Sequence, residues 1–136
     1  MQCKIHGIIF SDLGQASVFM GLDWVQEALR KTLGFAPYPA TLNVRPSGAE
    51  DARLWHQIQR EVASVPLSPV EGGFCSARLY RISMRPLAGG QSVNGAVLLP
   101  AVAGYPRDKI EIVAPVQLKQ ALGLKDGDCL DLEFSG

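Results

Sequence analysis

Thr41 and Asn43 stand two positions apart in the run T-L-N-V, Thr41 to Val44. Residues so spaced in a strand point to one face, so a hydroxyl lies beside an amide oxygen. Both are hard oxygen donors of the kind magnesium takes. Both are also neutral, so the pair alone holds Mg²⁺ poorly, and nucleotide phosphates would have to supply negative charge. The competing reading is a strand threonine followed by an asparagine near the strand end. Asparagine is disfavoured within strands, which tilts the balance slightly toward a site. The polar run S-D-L-G-Q-A-S, Ser11 to Ser17, contains Gly14 and is either a plain turn or a loop that brings backbone N–H groups to phosphate. A-P-V-Q-L-K, Ala114 to Lys119, reads as a helix start. Helix N-termini carry unpaired N–H groups and a positive dipole end that can meet a nucleotide, although most bind nothing. Glu111 lies between Ile110 and Ile112 and faces away from them, as a site carboxylate or as a solvated partner of Lys109. His6 and His56 have no partner at a telling spacing. There is no Ser-His-Asp arrangement, P-loop or paired acid/base carboxylates, so no catalytic base is identified. Spacing alone stops at a soluble α/β or β-barrel domain.

The elements that must position these residues follow from periodicity and punctuation. Lys4 to Phe10 reads as a strand, and Val18 to Met20 as a possible resumption of one. Asp23 with Gln26 makes a capping box, and Leu22, Val25, Ala28, Leu29 and Leu33 form one helical stripe closed by Gly34. Pro37 and Pro39 stiffen the loop before Thr41. Ser47 with Glu50 makes a second capping box, opening a helix to about Val62 with Trp55, Ile58 and Val62 on its apolar side. A loop covers Ser64 to Gly73. Phe74 to Met84 alternates as a strand, with Arg78, Tyr80 and Ile82 on one side. Pro86 to Gly90 is a turn, and Asn94-Gly95 is a second turn signal before the strand Ala96 to Leu99. Lys109 to Val113 alternates as a strand. Pro115 opens a short helix, Val116 to Leu122, stopped by Gly123, and Asp126-Gly127 turns into a last strand, Cys129 to Phe134. Two stretches share the order helix, Leu-Gly stop, turn and strand, which suggests a barrel built from two related halves.

Composition bounds the rest. A chain of 136 residues is one domain, 1–136, able to bury roughly two-thirds of its unfolded surface. Hydrophobic residues make up 47% and charged residues 19%, which is globular rather than disordered composition. The 13 basic and 13 acidic residues cancel, so bulk charge recruits no nucleic acid. Arg81 and Arg85 share a strand face and Arg78 takes the other, so they form no patch. The 3 cysteines lie far apart with no metal-ligand spacing, and with no signal peptide they read as reduced thiols in a cytoplasm. The longest apolar stretch, near Gly95 to Gly104, is too short for a membrane span and contains Pro100.

Two blocks together resemble a known family. G-F-A-P-Y-P-A-T-L-N-V, Gly34 to Val44, is similar to the signature G-F-x-P-Y-x-G-T-L-N, and the block from Gly104 to Asp128 is similar to a C-terminal signature of the same proteins. They are the archaeal CTP-dependent riboflavin kinases. The resemblance implies a mainly β fold with short helices, a six-stranded cradle-loop-type barrel that suits a pseudo-duplication. It implies transfer of the CTP γ-phosphoryl group to the 5′-hydroxyl of riboflavin, giving FMN and CDP. It places the magnesium ligands on Thr41 and Asn43. It places a glycine-rich nucleotide loop, G-L-G-E-G-x, on Asp12, Leu13, Gly14, Gln15, Ala16 and Ser17. A second nucleotide segment falls on Val116, Gln117, Leu118 and Lys119, and flavin contacts fall on Glu111 and near Ala103. The sequence departs from the pattern where Asp12, Ala16 and Ala40 replace glycines, Gln15 a glutamate and Ala103 a threonine. Side chains there can hinder close backbone approach, and a carboxylate at Asp12 can repel a triphosphate. Three functions follow as expectations: an active kinase, a flavin- or nucleotide-binding module that has lost turnover, and a DNA-binding barrel, which zero net charge disfavours. The helix over Ser47 to Val62 has no counterpart in the matched blocks.

Overall fold

A computed structural model describes residues 3–11, 20–67, 77–101 and 103–135. Among them run strand β1 (Cys3–Phe10), helix α1 (Asp23–Leu33), β2 (Leu42–Pro46), α2 (Ala49–Glu61), β3 (Val65–Leu67), β4 (Ala77–Pro86), β5 (Val93–Pro100), β6 (Ile110–Val113), α3 (Leu118–Leu122) and β7 (Cys129–Phe134). The order β4-β5-β6-β2-β1-β7 closes because β7 also pairs with β4. The result is a closed six-stranded antiparallel barrel, with β3 attached outside the ring along β4.

Alternation explains which residues fill it. Ile5 and Ile9 of β1, Leu42 and Val44 of β2, Ile110 and Ile112 of β6, and Leu130 and Leu132 of β7 all point into one core. Helix α2 contributes to that core. Its Trp55 ring lies 5.9 Å from Tyr80 and 5.8 Å from Phe134, and those two lie 6.2 Å apart. This trio of mutually packed rings, with two T-shaped pairs, anchors the helix on the barrel. Helix α1 covers the outside of the wall instead. Val25, Leu29 and Leu33 pack with Leu79, Ala96, Leu98 and Val113 in a second cluster. Strands β4, β5 and β6 therefore bury apolar side chains on both faces. Arg81 fixes the end of α1, donating to the Thr32 carbonyl at 2.7 Å and the Leu33 carbonyl at 3.2 Å. Those carbonyls have no partner within the helix.

Several expectations need correction. Neither capping box forms. Leu22 and Gly48 occupy the cap positions, with no side-chain cap bond at either. Gln26 instead donates to the Met20 carbonyl at 2.6 Å, and Ser47 donates to Asp51, which also accepts the His6 amide. Met20 is buried beside α1 rather than in a strand, while Val18 lies outside the described residues. Asn94-Gly95 is no turn. Both residues sit within β5, opposite Ser83 and Ile82, and the chain reverses between Pro86 and Val93, where the Pro86 to Gly90 turn was expected. β3 falls inside the expected loop. The stops at Gly34 and Gly123 hold, with φ of 84° and 65°. The two helix–glycine–strand stretches differ in size, since α1 has 11 residues and α3 has 5.

Gly95 has a packing reason of its own. A Cβ there would lie 2.5 Å from the Val113 carbonyl oxygen, which is backbone and cannot swing away. Gly95→Ala is expected to cost about 1–3 kcal/mol, as overpacking of a tight wall does. Denaturant unfolding measures it, and an unchanged midpoint would show that β5 and β6 can part without penalty.

Candidate functional site

The loop before β2 is held by short local and long-range bonds. Pro37 is buried, the Tyr38 amide donates to the Ala114 carbonyl at 2.8 Å, and the Ala40 amide donates to the Tyr38 carbonyl at 2.8 Å. That first bond ties the Gly34 to Val44 block to the Gly104 to Asp128 block. Among the described residues no non-glycine has a positive φ, so Ala40 adopts an ordinary backbone where a glycine was expected.

Thr41 leads directly into β2, and its Oγ1 stands 3.5 Å from Asn43 Oδ1. Both residues are half-buried, and they face away from the core-filling Leu42 and Val44. Register then adds what spacing could not. Asn43 lies directly opposite Glu111 in the β2–β6 pair and opposite Phe10 in the β1–β2 pair. Glu111 in turn lies opposite Leu98 of β5. Phe10, Asn43, Glu111 and Leu98 thus form one row across four strands, and side chains directly opposed in a ladder are close neighbours.

Glu111 is 7% exposed, so it is no solvated strand residue. Its Oε1 lies 3.2 Å from Lys109 Nζ. The same ammonium lies 5.8 Å from the centre of the Tyr105 ring, within cation–π range. A carboxylate carried this far from water needs such a partner. Ala103 is exposed in the turn after β5, two residues before Tyr105.

A second cluster forms where β1 ends. Lys119 Nζ lies 2.7 Å from Asp126 Oδ1 and 3.4 Å from Ser11 Oγ, and Ser11 donates to Asp126 Oδ2 at 2.5 Å. The Lys119 ammonium and the Ser11 hydroxyl hold the Asp126 carboxyl below its usual range. The Gly127 amide donates to the Ile9 carbonyl and the Ile9 amide to the Asp128 carbonyl, fixing this turn on β1. Asp12, Leu13, Gly14, Gln15, Ala16 and Ser17 lie outside the described residues, but Ser11 at their threshold touches Lys119. Val116 and Gln117 are exposed before α3, and Gln117 accepts the Gln120 amide at 3.1 Å. Leu118 is core, so only its backbone is available to a ligand. α3 starts at Leu118, two residues later than expected.

The structure therefore brings Thr41, Asn43 and Glu111 onto one face, and Lys119 to the start of the polar loop. Tyr105 and Asp126 were not singled out from sequence. An aromatic in a loop and an aspartate before a turn glycine carry no signal without the partners they meet.

A family model described as domain of unknown function DUF120, and named for CTP-dependent riboflavin kinase, matches residues 9–134. The chain belongs to the CTP-dependent riboflavin kinase family. Riboflavin kinases of archaea are similar to it along nearly its whole length. The protein of Pyrobaculum calidifontis is 35% identical over 130 residues, covering 96% of this chain and 59% of that protein. The protein of Archaeoglobus fulgidus is 30% identical over 131 residues, covering 96% of this chain and 54% of that one. That of Methanosarcina mazei is 31% identical over 128 residues, covering 92% and 53%. The chain spans between half and three-fifths of the length of these relatives. Within the riboflavin kinase family model fall both the Thr41–Asn43–Glu111 face and the Lys119 cluster.

Proposed function

We propose that this chain transfers the γ-phosphoryl group of CTP to the 5′-hydroxyl of riboflavin, releasing FMN and CDP. The observation that supports it most is the row in which Asn43, with Thr41 beside it, directly faces the buried Glu111. This sets neutral oxygen donors against a charged acceptor across one ladder. Phosphoryl transfer is mainly a matter of positioning and charge neutralisation, and such a face suits both.

The donors fit magnesium. Cis ligands of an octahedral Mg²⁺ ion lie roughly 3.0 Å apart, so a separation of 3.5 Å needs only a small side-chain adjustment. Among the described residues no three His, Cys, Asp or Glu side chains gather to hold a metal, so nucleotide phosphates complete the coordination. Bound there, magnesium supplies neutralisation of phosphate charge. Thr41 and Asn43 hold and orient it. Glu111 accepts a hydrogen bond from the flavin, with Lys109 keeping the carboxylate in place. Lys119 and the polar residues that follow Ser11 in sequence receive the nucleotide, together with the segment from Val116. No helix of the described residues is long and apolar enough to cross a membrane. Cys3 and Cys129 are free thiols, and we place the protein in a reducing cytoplasm.

A second reading rests on Asp12 and Ala16, where the resemblance implies glycines, and side chains there suit a module that binds flavin or nucleotide without turnover. Incubation with riboflavin, Mg²⁺ and each of the four ribonucleoside triphosphates separates the two. Chromatography is expected to show FMN with CTP, and CDP in equal amount. Flavin fluorescence quenching without FMN from any triphosphate would establish the binding module instead.

A further inference from the structure

Helix α2 carries a histidine that no part of the kinase reading uses. His56 follows the buried Trp55 and is itself 23% exposed at its side chain. Its two ring nitrogens meet consecutive residues of the segment between β5 and β6. Arg107 Nη2 lies 3.3 Å from His56 Nδ1, and Asp108 Oδ1 lies 3.4 Å from His56 Nε2. Nδ1 can accept from the guanidinium, while Nε2 lies near the carboxylate without a hydrogen bond to it. The first contact is a long hydrogen bond and the second a close approach of charge, and they act on adjacent residues from one support.

The segment so held is the one that carries Ala103, Tyr105 and Lys109. It turns tightly, with Gly104 at φ 81° and the Lys109 amide donating to the Pro106 carbonyl at 3.3 Å. Lys109 then meets both the Tyr105 ring and Glu111. A contiguous chain of contacts runs from the packed Trp55 turn of α2 through His56, Arg107 and Asp108 to Lys109 and Glu111.

We propose that His56 is a positioning residue for the flavin side of the site, latching the 103–109 segment to α2 so that Lys109 holds Glu111 toward Asn43. This rests on the flavin reading of Glu111 given above. Ala103 in that segment cannot donate or accept through its side chain. The latch supplies order to the segment from outside the site.

The test uses the whole chain and two readouts. In the ligand-free protein, amide hydrogen exchange over residues 103–109 should rise in His56→Leu, which fills the space but offers no polar atom. It should return toward the wild-type rate in His56→Asn, whose amide oxygen replaces Nδ1 as the acceptor for Arg107. In fluorescence titrations with FMN, His56→Leu should weaken binding about three- to tenfold, the effect of one lost hydrogen bond. Affinity for CDP should stay at the wild-type value, and Arg107→Ala should add little to His56→Leu. Exchange over 103–109 that is unchanged in His56→Leu would overturn the latch. So would an equal loss of FMN and CDP affinity, which would mark a general structural effect. Faster exchange in a protein whose wild type binds no FMN would keep the latch and overturn the flavin reading instead.

Discussion

Replacing Thr41 and Asn43 together by alanine is expected to abolish magnesium-dependent nucleotide binding. In the wild type, calorimetric titration of Mg²⁺ should give weak binding to the free protein and much tighter binding with CDP present. Two neutral oxygens contribute direction without charge, and phosphate oxygens contribute the charge. The double variant keeps neither donor, so the titrations with and without CDP should become alike. Its fold should survive. Leu42 and Val44 supply the core contacts of β2, while Thr41 and Asn43 face away from that core. Losses from such positions usually stay near or below about 1 kcal/mol. Nucleotide binding that still responds to Mg²⁺ in the double variant would remove this face from the metal site.

Glu111→Ala is expected to weaken flavin binding by about ten- to a hundredfold. A hydrogen bond to a charged acceptor contributes about 1.5–3 kcal/mol, and each 1.4 kcal/mol is about tenfold in affinity. The same change removes the partner of Lys109, whose side chain is 19% exposed. Some stability should therefore be lost as well, and titrations belong well below the melting transition. Glu111→Gln separates charge from shape, because it keeps an acceptor oxygen and the volume. An intermediate loss is expected for it. Flavin fluorescence quenching with wild-type affinity in Glu111→Ala would reduce Glu111 to a paired strand residue with no ligand.

What could be read from the sequence divides along a physical line. Period-two spacing placed Thr41 and Asn43 on one face, and the strand alternation at Ile110 and Ile112 placed Glu111 on the other side from the core. Glycines at positive φ placed the helix ends. That Asn43 faces Glu111 could not be read, because register between strands 68 residues apart is set by how the whole barrel closes. The same closure overrides local signals. Asn94-Gly95 reads as a turn, yet the wall needs a residue without Cβ against the Val113 carbonyl. β3 has three residues, one of them proline, and exists only because β4 offers it an edge. The cap at α2 shifted to Gly48 because Asp51 accepts from both His6 and Ser47. His56 looked partnerless because its partners come from a turn 51 residues further on.

The position of β7 has a consequence for how the chain reaches this state. β7 follows the other described strands of the barrel, yet it fills the gap between β1 and β4, pairing Cys3 with Phe134 on one side and Ile82 with Phe134 on the other. During synthesis every other strand leaves the ribosome before it. Until Cys129–Phe134 arrives, β1 and β4 present open edges to anything that can pair with them. Such a topology defers ring closure until β7 has joined, and loop-closure entropy makes that step slow. The nascent chain is thus an incomplete cylinder with two adhesive seams, and a chain cut short before Cys129 would be a template for aggregation.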